Sequence, residues 1–71
     1  MDFSPTALRT LRKERGLTRT TLAVRIGVSH DSVKAFERGK IRPSLRTLAR
    51  LAEVLDVPMD AFFTDRSHAA A

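Results

Sequence analysis

Apolar residues recur at helical spacing in short blocks along this chain, and each block ends at a glycine or near a proline. Ser4-Pro5 opens the first block: serine caps free helix amides and proline suits the first helical position. Leu8 and Leu11 share one face, Arg9, Lys13 and Glu14 lie largely off it, and Gly16 stops it, which predicts a helix over 5–15. Thr18 caps the next block, where Leu22, Ala23 and Ile26 make the inward stripe of a helix over 19–26 that stops at Gly27. Ser29 caps a third helix over 30–38, with Val33 and Phe36 inward and Gly39 at its end. Residues 39–44 form a connector whose one large apolar residue, Ile41, is expected in the core. Ser44 then caps a fourth helix striped by Leu45, Leu48, Leu51, Ala52 and Leu55, with Arg46, Arg50 and Glu53 outward. After Val57-Pro58, the residues Met59, Phe62 and Phe63 share one side of a short last helix.

No strand-like alternation or hairpin turn interrupts this pattern. It predicts an all-α fold, a compact five-helix domain over 1–63 with short connections. A flexible polar tail is expected over 64–71, and its closing Ala-Ala-Ala, which a cloning scar could also supply, has no part in the expected fold.

Length and composition narrow the chemistry. The chain has 71 residues, enough for one small domain. A domain of this size buries only about 60% of the surface its unfolded chain exposes, so all the apolar stripes have to meet in one core. There is no Cys, and the two His lie far apart, one of them in the tail; no disulfide, metal site or cofactor is expected. No apolar run approaches the roughly 20 residues that span a bilayer, and the opening MDFSPT lacks the regions of a signal peptide. A cytoplasmic protein is expected. The net charge is +5, and ten of the thirteen basic residues are Arg, which pairs bidentately with phosphate oxygens. Such a surface suits nucleic acid. It is also what a merely well-solvated basic domain would show.

Two short helices joined by a tight glycine-containing turn make a helix-turn-helix, here over about 19–38. Its packing demands are met together. Ala23 is small where the second helix crosses, Gly27 follows four residues later, and Val28 plugs the turn. Val33 and Phe36 aim back at Leu22 and Ile26. The motifs L-R-x-x-R-G-L-T in 11–18, L-A-x-x-I-G-V-S in 22–29, E-R-G-K-x-x-P-S-L in 37–45 and L-A-x-x-L-D-V in 51–57 resemble those of the Cro/repressor-type helix-turn-helix domain, the XRE family. The resemblance runs from Leu8 to Phe63 and implies a lambda-repressor-like fold.

The resemblance also implies a function: a sequence-specific transcriptional regulator of double-stranded DNA, a bacterial or phage repressor or activator. The third helix would lie in the major groove, with its first residues at base edges. Those residues are His30, Asp31, Ser32, Lys34 and Ala35. Asp31 can accept from a cytosine amino group, or it can stabilise the helix N-terminus. Lys34 can reach guanine or a phosphate, and Ala35 can pack on a thymine methyl or serve as a spacer. Phosphate contacts are implied for Thr18 and Arg19, the latter where the family usually has Gln. They are implied also for Ser29 and, past the third helix, for Arg38, Lys40 and Arg42. Arg12 and Glu37 match a structural ion pair of the family. Members commonly act as dimers on near-palindromes with half-sites about 34 Å apart. Met59 and Phe63 are candidates for that interface, unless both simply close the core.

Two other readings compete. Residues 29–32, SHDS, contain the side-chain types of a hydrolytic triad. Consecutive residues on one helical turn fan apart, however, and a triad needs its members to meet, so no enzyme is expected. The other alternative is an antitoxin or protein-interaction module, with a toxin or RNA polymerase contacted through the last two helices. RNA is disfavoured, because the aromatics are four Phe, at least two of them core candidates, which leaves no stacking platform.

Overall fold

The computed structural model describes residues 2–64. Four α-helices follow one another: α1 (Pro5–Glu14), α2 (Arg19–Ile26), α3 (His30–Glu37) and α4 (Leu45–Leu55). A 3-10 turn over Met59–Phe62 closes the helical part. All four helices begin as their caps predict. The Oγ of Ser4, Ser29 and Ser44 and the Oγ1 of Thr18 each accept from the amide three residues on, at 3.0–3.1 Å. Each such cap contributes about 0.5–2 kcal/mol, a substantial share of the stability of a small domain.

The helices close over one core. Leu8, Leu22, Ile26, Val33, Leu51, Leu55 and Phe62 are fully buried within it, and Ala23, Phe36, Leu48 and Ala52 join them. Gly27 turns the chain between α2 and α3 at φ 77°, a left-handed conformation that favours glycine. A side chain there would also meet Arg50 Nη1 at 3.1 Å. That guanidinium donates to Ile26 O, so Arg50 caps α2 from α4 instead of simply facing outward. Arg15 Nε likewise donates to Leu55 O at 2.8 Å and ties the end of α1 to the end of α4.

The structure departs from the sequence reading in several places. Ile41 does not enter the core: it is 49% exposed, and Pro43 is the buried residue of the connector. Leu45 is 73% exposed although it lies on the α4 stripe. It is the first residue of the helix, and the stripe there overshoots the end of the core. The fifth helix is a 3-10 turn that stops at Phe62. Phe63-Thr64 instead form a two-residue strand, β2, antiparallel to β1 (Asp2–Phe3), with Phe3 opposite Phe63. Partners so distant in sequence leave no periodicity to detect. This ladder buries Phe3, and Ser4 N donates to Phe62 O at 2.7 Å beside it. Thr64 therefore belongs to the fold, while the rest of the expected tail lies outside the described residues.

These positions should separate cleanly in stability measurements. Phe62→Ala is expected to cost about 3–5 kcal/mol in urea unfolding, because it empties the centre of the core. Leu45→Ser should change stability by less than about 0.5 kcal/mol although it too removes apolar bulk.

Candidate nucleic-acid interface

The helix-turn-helix presents the outer face of α3. Asp31, Lys34, Ala35 and Arg38 follow one another at i, i+3, i+4 and i+7, the spacing that lines up side chains on one helical face. Together with Lys40 they line an open cleft of about 190 Å³. The Asp31 side chain is 96% exposed at one end of it. Its nearest basic partner among the described residues is His30, with Nδ1 3.7 Å from Oδ1. The helix cap is made by Ser29, not Asp31. Asp31 is thus left to act on the helix only through the favourable field at the N-terminus.

Ser32 is half-buried and its hydroxyl lies 3.0 Å from that of Ser29. Thr18 and Ser29 occupy the junctions before α2 and α3, and their side-chain oxygens serve as caps. Arg38, Lys40 and Arg42 are all exposed on or after the end of α3. Only the first two share the cleft with Lys34. Arg42 lines a separate hollow of about 170 Å³ with Asp2, Phe3, Pro5, Gly39 and Ile41. At the other end of the chain, Met59 and Phe63 are half-buried against the core. Part of each is used internally, and part reaches the surface.

Beneath the face lies the Glu37 carboxylate, its side chain 1% exposed. Arg12 donates to it twice, Nε to Oε2 at 2.6 Å and Nη2 to Oε1 at 3.2 Å, in the fork geometry that suits a carboxylate. Arg12 Nη1 also donates to Leu17 O at 2.8 Å. Arg19, singled out in the sequence only for phosphate, donates its Nε to Glu37 Oε1 at 3.2 Å. No spacing rule places residues 19 and 37 together; the turn between α2 and α3 does. Burial by itself would raise the Glu37 pKa, but the hydrogen bonds from Arg12 and Arg19 and their positive charges outweigh it and hold the carboxyl below its ordinary 4.5.

Comparison with known proteins accords with this geometry. A family model described as helix-turn-helix matches residues 8–62, and the chain belongs to that family, of the XRE or Cro/repressor type. Among its relatives is a transcriptional regulator in the ATPase CF(0) region of Rhodospirillum rubrum, 47% identical over 69% of this chain. The chain spans 45% of the length of that relative. The restriction-modification controller protein C.AhdI from Aeromonas hydrophila is 36% identical and superposes with a TM-score of 0.79, over 83% of this chain and 89% of that one. The biofilm regulator SinR, solved in complex with DNA, is 28% identical with a TM-score of 0.78, over 83% and 98% of the two chains. Among the described residues no helix is long and apolar enough to cross a membrane, and no cluster of His, Asp and Glu could hold a metal ion.

The buried carboxylate sets two expectations. Glu37→Gln should lower unfolding free energy by about 3–5 kcal/mol, since it leaves the Arg12 charge buried without its counter-charge. Arg12→Met should cost less, because Arg19 still neutralises Glu37. The pKa is lowered in the folded state, so the stability it confers is fully present above about pH 4.5 and is lost as pH falls through the folded value. Thermal midpoints measured from pH 7 down to about pH 3 should therefore fall less steeply in Glu37→Gln than in the parent chain.

Proposed function

We propose that this chain is a sequence-specific regulator of transcription that binds double-stranded DNA with α3 in the major groove. The observation that carries this reading is the stripe Asp31, Lys34, Ala35 and Arg38, which lines an open cleft on the second helix of a helix-turn-helix, with Asp31 and Arg38 exposed and Lys34 and Ala35 half-buried, in a chain of net charge +5. Side chains at the start of such a helix meet base edges. His30 and Asp31 supply an adjacent donor and acceptor pair there. Lys34 is within the helical turn that reaches guanine or a neighbouring phosphate, and Ala35 offers a methyl surface to thymine. Arg38, Lys40 and Arg42, with the helix starts at Thr18-Arg19 and Ser29, flank the groove as phosphate contacts. These set register and salt dependence without reading sequence.

The SHDS stretch is a surface of recognition in this reading and not a catalytic set. The hydroxyls of Ser29 and Ser32 lie against each other, and Ser29 Oγ caps the Ser32 amide. Binding as a dimer on a near-palindromic operator fits the small area one such domain can cover. We place the contact at Met59 and Phe63, whose half-buried side chains adjoin the core next to the β1–β2 ladder. A cytoplasmic location and DNA as the main partner follow from the same reading.

Selection of bound sequences from random duplex DNA tests it directly. A near-palindrome with half-site centres about 34 Å apart is the expected product, and recovery of unrelated sequences with no consensus would overturn specific recognition. Asp31→Ala should relax preference at a single base pair, with about 1–3 kcal/mol of discrimination lost there. A uniform loss at every position would remove Asp31 from base readout. Sedimentation should show a mass that rises with concentration, and Phe63→Ser should suppress the rise.

A further inference from the structure

Arg12, Glu37 and Arg19 together carry one surplus positive charge, and their hydrogen bonds determine where it surfaces. Each of the three Arg12 guanidinium nitrogens already donates internally: Nε and Nη2 to the carboxylate and Nη1 to Leu17 O. Its side chain is 9% exposed. Arg19 commits only its Nε, and its side chain is 31% exposed at the first position of α2. Among the described residues its two terminal nitrogens make no hydrogen bond. The surplus charge is therefore delivered to the surface at Arg19, on a guanidinium already anchored by one edge.

Resting on the DNA-binding reading above, we propose that Glu37 is a positioning residue for phosphate recognition. By accepting from Arg19 Nε it holds that guanidinium at the start of α2 with both terminal nitrogens free for one backbone phosphate. Those nitrogens form an edge that can take two phosphate oxygens at once. A long side chain ordinarily loses much rotamer freedom when it binds. Arg19 gives up part of that freedom in folding, so less is lost when DNA arrives. The arrangement depends on both partners. Lysine at 19 would keep the charge as a flexible point donor without the rigid fork. A neutral side chain at 37 would loosen the anchor. The low pKa of Glu37 keeps the carboxylate ionised at neutral pH, as the anchor requires. The same carboxylate that joins α1 to α3 thus also aims a DNA contact from α2.

The test compares the full chain with Arg19→Ala and Arg19→Lys, in titrations of the selected duplex at several salt concentrations and in thermal unfolding. Arg19→Ala should weaken binding about tenfold near 0.1 M salt and lower the slope of log K against log salt by about one. Arg19→Lys should restore the slope yet bind several-fold more weakly than the parent. Equal binding by Arg19→Lys would overturn positioning in favour of charge alone. An unchanged slope and affinity in Arg19→Ala, with only a lowered thermal midpoint, would make Arg19 purely structural. A second readout does not depend on variants that risk unfolding, as Glu37→Gln does. In nitrogen-15 spectra of the DNA-free chain, the Arg19 Nε–H should exchange slowly with water at neutral pH. Rapid averaging would show that Glu37 does not hold it. Absence of any salt-dependent duplex binding by the parent chain would overturn the DNA-binding reading itself, which separates that failure from failure of the positioning role.

Discussion

One carboxylate organises this domain. Glu37, at the end of α3, is buried and takes hydrogen bonds from Arg12 on α1 and Arg19 on α2. Three helices thus meet at a single charged group. An unpaired charge in this position would be costly, so the arrangement favours geometries in which the arginines reach it. Apolar packing alone is less demanding, since hydrophobic surfaces can slide and repack with small penalties. The carboxylate therefore narrows the angles that the core leaves open. It lies at the opposite end of α3 from the residues that face outward first, and so helps fix how that helix is held.

The rest of the stabilisation is distributed and local. Every α-helix has a side-chain cap at its start. Two helix ends are tied by arginines from elsewhere, Arg50 to Ile26 O and Arg15 to Leu55 O. These long side chains close carbonyls that a helix leaves unpaired. They also show that a high arginine content need not mean that every arginine is available to a partner. Arg12, Arg15, Arg19 and Arg50 all have internal bonds, whereas Arg38, Lys40 and Arg42 are exposed around the end of α3.

The two short strands have a similar fastening role. Phe3 and Phe63 face each other across the ladder, and Phe62 fills the core from the preceding turn. The amino end of the described chain is thereby fastened to its carboxyl end. Because Met59 and Phe63 belong to this closure, any further contact they make builds on surface that is already packed on one side.

The sequence by itself determined the four helices, their caps, the glycine turn and most of the core. Each of these rests on neighbours within a few residues: a hydroxyl and the amide three positions on, an apolar stripe of period 3.6, a glycine at a left-handed turn. It also marked Arg12 and Glu37 through their family motif, and the outward residues of α3 through their place in the helix-turn-helix. Only the tertiary structure decided the exposure of Ile41 and Leu45, the burial of Phe3 and the β1–β2 ladder, and the bond from Arg19 to Glu37. The physical reason is the same in each case. These outcomes depend on where the core ends and which distant segments meet there, and neither periodicity nor residue type carries that information along the chain.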